Sequence, residues 1–400
     1  FFGRIWCMVC PMELLTSFAA RIGLKRRPHR VVQSGWIITL FYILILFVGI
    51  HTLAIHRVPF RMSIYLMALM ASTIVVGLIF SRNTFCAYIC PVGHLLGLYA
   101  RLAPFGWSIG NESICSNCKD HSCTANVNAY IFQGRSCGVG LNPAQLDDNT
   151  NCLLCGQCVK SCDHNNPGSE GRPNPGWFVR PWFKDIFALK PMTAAQTAFC
   201  LIVSGFVIYE VFTEWKVTKG LLLWMPDTIN MWLGTGNTWT HGLIKSLTLF
   251  VLLPTLVWLL PYGLLRLIGG KFPIGRFFTA FGIAFIPIMA AAHTVKALLK
   301  TTSRIPYWEY AFTDPVGVES AKGILDKSLQ LAPLPTWRGP VVTALSLVLI
   351  CGGIAVSTVV IRKLTMAHMR DSGCRAWTLY LIPGLYGGAF AAMICIWRLF

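Results

Sequence analysis

Cysteine is the residue whose spacing in this chain could do chemistry. Cys152, Cys155, Cys158 and Cys162 recur at intervals of three, three and four residues. At that pitch three thiolates wrap one face of a 4Fe–4S cubane, and the fourth points away to ligate a neighbouring cluster. The pattern requires a second set upstream, and Cys115, Cys118 and Cys123, followed after an insertion by Cys137, supply it. Crossing the fourth ligands gives two complete sites: Cys115, Cys118, Cys123 and Cys162 for one cluster, and Cys137, Cys152, Cys155 and Cys158 for the other.

Zinc is the alternative for paired cysteines, but it typically takes two separated pairs in a tetrahedron, not a triplet with a crossed fourth ligand. Disulfides do not suit a segment expected in a reducing compartment. Covalent haem would need a histidine directly after a cysteine pair, and none occurs. A second quartet is less regular. Cys7 and Cys10 precede Pro11, and Cys86 and Cys90 precede Pro91. Proline after cysteine fits the first turn of a helix, whose free N–H groups favour an anionic cluster. Four thiolates there would form a third centre, with three readings open: an iron–sulfur cluster, redox-active thiols or a copper site, and purely structural cysteines. Cys200, Cys351, Cys374 and Cys395 stand alone and read as small hydrophobes.

The elements that must position these cysteines follow from composition. Hydrophobic residues make up 54% of the 400 residues and charged residues 12%, against about a quarter charged in soluble domains. Seven stretches approach the roughly 20 apolar residues a spanning helix needs: 35–55, 63–80, 193–212, 241–265, 277–298, 341–361 and 376–397. The expected fold is an all-α integral membrane protein with a small α+β ferredoxin-like domain inserted. Residues 1–34 form an interfacial motif and basic segment, and 35–109 a two-helix hairpin with the second Cys-Pro motif. The ferredoxin-like domain occupies 110–190, and a five-helix membrane region 191–400. Residues 219–233, apolar and rich in tryptophan, read either as an interfacial helix or as a packed loop.

The net charge of +18 lies in short blocks beside apolar runs, at 21–30, 82–101, 266–276 and 362–375, which alternate with the spans. This is the mark of membrane orientation and not of a nucleic-acid groove. The basic side is expected to face the cytoplasm of a prokaryotic inner membrane, with the ferredoxin-like segment on that side. The chain opens at Phe1, directly on a cysteine motif, so further sequence is expected upstream. Ionisable residues within spans are functional candidates. His51, His241, His293 and Lys296, with Glu210, are expected near the opposite face. There they read as a quinol site, as ligands of a b-type haem, or as interfacial residues reaching headgroups.

Residues 1–15 (FFGRIWCMVCPMELL) and 81–102 (SRNTFCAYICPVGHLLGLYARL), followed by the two cluster motifs, resemble the NapH/NosR-type membrane polyferredoxins over roughly residues 1–168. The resemblance implies a membrane-bound redox subunit and not an enzyme alone. Such a subunit passes electrons between a membrane carrier, quinone or quinol, and periplasmic or membrane redox partners. The alternative is a maturation factor that binds or reduces copper for a respiratory enzyme. Three features depart from the family: the Cys7–Cys10 interval is one residue short, Asp163 follows Cys162 in place of proline, and no flavin-attachment domain is visible.

Overall fold

The structure, a computed structural model, describes residues 3–131, 135–164, 166, 181–234, 237–329, 331–334, 336–368 and 376–399. Cys374, residues 369–375 of the last basic block, and residues 165 and 167–180 of the long polar segment lie outside the described residues. The chain is mostly helical. Ten helices organise it: α1 (Pro11–Ile22), α2 (Trp36–Thr52), α3 (Pro59–Ile79), α4 (Pro91–Ala100), α5 (Ala194–Phe212), α6 (Lys216–Trp232), α7 (Thr238–Leu267), α8 (Ile274–Ser303), α9 (Arg338–His368) and α10 (Trp377–Arg398). Pro11, Pro59 and Pro91 each sit in a first turn, where the missing N–H is harmless. A capping box between Thr193 and Gln196 starts α5.

Six of these helices, α3, α5, α7, α8, α9 and α10, are long and apolar enough to cross a membrane. The span expected at 35–55 is shorter than read from sequence. Helix α2 would reach about 25 Å at 1.5 Å per residue, less than the roughly 30 Å of a hydrocarbon core. It widens into π-helical turns over Ile45–Thr52 and stops before Ala54, which takes a left-handed φ of 49°. The described residues also hold no strand where an α+β domain was expected, only one isolated bridge between Arg26 and Phe80. The described residues of 110–166 instead fold as loops and short helical turns, with His121, Gly140, Leu154 and Gly156 in left-handed conformations that turn the chain sharply.

Helix α8 is apolar all round over residues 280–292 and forms the centre of the bundle, with Ile286, Ile288, Met289 and Ala292 fully buried. Trp258 of α7 stacks on Phe285 of α8 at 4.4 Å and donates from Nε1 to Ser204 of α5. Gly353 brings α9 close to α8, since a Cβ there would lie 2.9 Å from Ala291 and 3.0 Å from the Pro287 carbonyl. Helix α6 is the tryptophan-rich stretch read at 219–233. It exposes Leu221, Trp224, Met231 and Trp232, as a helix lying against a lipid surface would.

The bundle has two distinct ends. At one, Lys25 lies over the Tyr130 ring, Arg101 bonds Thr150 and the Lys190 carbonyl, Met192 N–H donates to Thr279, and Lys363 lies over Phe187. The basic loops and the cysteine-rich segment therefore gather at this end. At the other, Thr52 and His51 pack on Gly242, and Lys296 pairs with Glu210 and Glu214.

Helix α3 stands apart, with most of its apolar side chains exposed and α1 as its principal neighbour. The two run parallel. Met12 meets Thr73, Thr16 donates to the Thr73 carbonyl, and Gly77 lies against Thr16 and Ala19. A Cβ on Gly77 would come within 2.8 Å of both the Thr16 carbonyl and Ala19. Beyond α1 the backbones pair directly, Leu24 N–H to Leu78 at 2.6 Å, Arg26 N–H to Ile79 at 3.0 Å and Ser81 N–H to Arg26 at 2.8 Å. Gly77→Leu should therefore separate the helices at an overpacking cost of about 1–3 kcal/mol. The expected result is reduced iron retention on purification with helix content by circular dichroism unchanged.

Candidate metal centre

Four thiols line one pocket among the loops. Cys115 and Cys118, placed by a short helix at Glu112–Asn117 that Asn111 caps, line one pocket with Cys123 and Cys162. Burial pushes the Cys123 thiol up to about 11, and its neighbours Cys162, Cys115 and Cys118 push the same way. Asn166 donates from Nδ2 to Cys115 Sγ at 3.0 Å. Asp163, which replaces the proline common after such a run, accepts from Ser122 Oγ at 2.6 Å and so ties the two cysteine loops together.

The second group is Cys137, Cys152, Cys155 and Cys158. Burial raises Cys152 to about 12, and Cys155 and Cys137 add to it against the N–H of Leu154, which donates to Cys152 Sγ at 3.4 Å. Cys158 is raised by burial and then by Cys152, Cys137 and Cys155, with Cys123 of the first group also within reach. Leu141 N–H donates to Cys137 Sγ at 3.3 Å. Cys162 thus sits with the upstream set and Cys137 with the downstream one, the crossed grouping read from spacing, and the two groups adjoin.

The structure also brings together the two Cys-Pro motifs. Burial raises the Cys86 thiol, with Cys90, Glu13 and Cys7 adding to it and Arg4 opposing. Cys90 lies within electrostatic reach of both Cys7 and Cys10, and its Sγ accepts from Gly93 N–H at 3.3 Å as the N-cap of α4. These motifs do not lie beyond the end of α3, as the linear sequence suggests. Because α1 runs parallel to the second half of α3, the quartet stands alongside that helix.

Residues that spacing does not reveal lock these parts together. Arg4, buried at 2% exposure, donates from Nη2 to the Cys86 carbonyl at 2.9 Å and from Nη1 to the Thr150 carbonyl at 3.5 Å. Glu13 Oε1 accepts from Ser17 at 2.8 Å, Asn83 Nδ2 at 2.6 Å and Arg135 Nη2 at 3.2 Å. Asn83 also takes the Gly138 carbonyl on its backbone N–H. Arg82, the first cation after α3, donates to the carbonyls of Cys137 and Thr124 and to Asn126 Oδ1. The one signal in the sequence was position, since each of these polar residues lies within a few residues of a cysteine or of a helix end.

Each group offers four thiols, the donor number a cubane takes. A cubane spreads its four thiolates over four irons, which matches thiols lining a pocket wall. The raised thiols are protonated without metal and give up their protons on binding it.

The histidines read as one cluster divide into separate sites. His51 lines a polar cavity with Asn237, Thr238, His241 and Lys245, and its buried Nε2 has no hydrogen-bond partner among the described residues. His293 lies elsewhere, hydrogen-bonded through Nδ1 to Tyr99 OH at 2.5 Å. The rings of Phe250 and Phe206 stand between the two histidines. Lys296 bridges Glu210 at 2.9 Å and Glu214 at 2.6 Å, while His241 Nε2 lies 3.7 Å from Asp227 Oδ1 at the His51 cavity. His51 and His293 are therefore not brought onto one metal.

These features fit a membrane iron–sulfur electron-transfer protein. A family model described as a 4Fe-4S binding domain matches residues 1–29 and 63–110, the segments that carry Cys7, Cys10, Cys86 and Cys90. An uncharacterized protein of Methanocaldococcus jannaschii is 26% identical over 168 residues, 40% of this chain. The match spans 61% of that relative's length. No solved structure matches the chain.

Arg82→Ala removes charge-assisted bonds worth about 1.5–3 kcal/mol each when well formed. A net loss of about 2–4 kcal/mol is expected, read as earlier bleaching of the visible absorbance on heating, while Arg82→Lys should fall between.

Proposed function

We propose that this chain is the iron–sulfur subunit that carries electrons between a lipid-soluble carrier, quinone or quinol, and a partner redox protein at the cytoplasmic face of a prokaryotic inner membrane. The observation that carries the reading is the order of the three thiol groups. Cys115, Cys118, Cys123 and Cys162 form one group, Cys137, Cys152, Cys155 and Cys158 adjoin it through Cys123 and Cys158, and Arg4 joins Cys152's loop to Cys86. Bound there, 4Fe–4S clusters supply one-electron transfer at potentials anywhere from about −700 to +450 mV.

The chain's own residues make the route continuous. Cys123 and Cys158 bring the first two groups side by side. Arg4, Glu13 and Arg135 hold the second group against the quartet, and α1 holds the quartet against α3. Beside α3, an apolar cavity of ≈ 480 Å³ opens between α2 and α3, lined by Phe41, Val48, Ile64 and Tyr65 with Arg61 at its edge. That volume falls in the range of small-molecule sites, and Tyr65 on its wall lies about two helical turns before Thr73, where α1 meets α3. This cavity suits a hydrophobic carrier that must come close to the quartet. The polar cavity of His51, His241 and Lys245 suits proton exchange at the far end.

Iron and acid-labile sulfide analysis of the purified protein tests the reading. About twelve irons are expected for three clusters, falling to about eight in C7S and in C86S with the ferredoxin-type signals retained. Zinc in a colourless sample, or a count of about eight in the unsubstituted chain, contradicts it.

A further inference from the structure

Arg4 is a buried cation with no carboxylate partner among the described residues. Its guanidinium is held by carbonyls alone, Cys86 O at 2.9 Å and Thr150 O at 3.5 Å, and its buried Nε has no hydrogen-bond partner among the described residues. The nearby carboxylate of Glu13 is taken up by Ser17, Asn83 and Arg135. The space for the guanidinium is made by glycine. A Cβ on Gly93 would lie 2.8 Å from Nη2, and Gly97 faces Arg4 Cδ at 3.6 Å. The backbone is engaged as well, since the Arg4 carbonyl accepts from Cys7 N–H at 2.9 Å. One residue therefore touches both halves of the quartet and the loop that leads into Cys152.

Carbonyl dipoles do not neutralise a buried charge, and burying an uncompensated guanidinium is costly. Negative charge on the flanking thiolate groups would offset that cost. Four thiolates on each side leave a bound cluster anionic, and an arriving electron makes it more so. A fixed cation at short range in a low dielectric stabilises that added charge strongly. Arginine keeps its proton throughout, so the electron is the only particle that moves.

We propose that Arg4 is a positioning residue whose fixed positive charge, set between the Cys7–Cys10–Cys86–Cys90 centre and the cluster of Cys137, Cys152, Cys155 and Cys158, raises the reduction potentials of both. The inference rests on the reading that the quartet holds an iron–sulfur centre. A merely structural Arg4 would matter for its hydrogen bonds; this one matters for its charge.

The test is an EPR-monitored redox titration of the purified full chain, with R4Q, R4K and C7S compared. The signal missing in C7S identifies the quartet's centre. R4Q should make that centre at least tenfold harder to reduce at a fixed ambient potential, a shift of about 59 mV for a one-electron couple. R4K, which keeps the charge and loses the forked geometry, should stay close to the unsubstituted chain. No shift in R4Q, or equal shifts in R4Q and R4K, overturns the proposal. If R4Q fails to retain the quartet's iron, the same comparison is read on the cluster of Cys152, whose potential must still fall in R4Q and hold in R4K. A C7S protein that loses neither iron nor signal overturns the underlying reading and the proposal with it.

Discussion

The close approach of α1 to α3 is the constraint on which the rest depends. Gly77 leaves no Cβ between the helices, and the backbone from Leu24 to Arg26 then pairs with Leu78 and Ile79. Because the pairing is parallel, Cys10 at the start of α1 is carried back along α3. The chain after α3 must turn to bring Cys86 and Cys90 to it. A looser contact would leave two unrelated cysteine pairs. The tight one makes a four-thiol group beside an apolar helix, where a hydrophobic carrier can come near.

Around that contact the polar groups are arranged so that few buried charges lack an opposite. Glu13 answers Arg135, and Asn83 links α1 to the loop of Cys137. Arg82 answers carbonyl groups of the same loop. The cost of burying such groups is met only when their geometry is well formed, so they specify how the loops sit against the bundle. Arg4 is held by carbonyls as Arg82 is, but it is fully buried, and it lies between two groups of thiols.

Much of this was legible in the sequence because cluster ligation and membrane crossing both leave periodic marks. The interval from Cys152 to Cys162 predicts a crossed grouping, and Cys162 lines one pocket with Cys115, Cys118 and Cys123. Five of the long apolar runs from 63 onward, and the run at 341–361 within the longer α9, are helices fit to cross a membrane. Three things were not legible. The length of α2 was overread, since hydropathy does not register π-helical widening or a left-handed Ala54. The histidines were grouped by depth alone, and depth does not say which helix faces which. The junction at Arg4 was invisible because its partners are backbone carbonyls of Cys86 and Thr150, far away in the sequence, and carbonyl acceptors leave no mark on residue type. The strand content expected of residues 110–190 does not appear among the described residues, where loops follow the thiols instead of a ladder.

The central claim is that the Cys7, Cys10, Cys86 and Cys90 group stands on the electron route between the other two thiol groups and the membrane. It is tested most directly by reducing the full chain with dithionite in sealed vesicles, removing the reductant, and following the visible bands after a quinone is added to the lipid. The account predicts that the bands of the unsubstituted chain return to the oxidised form. In C86S, which keeps the other eight thiols, they should stay bleached for at least ten times as long. Equal rates in the two proteins would contradict it.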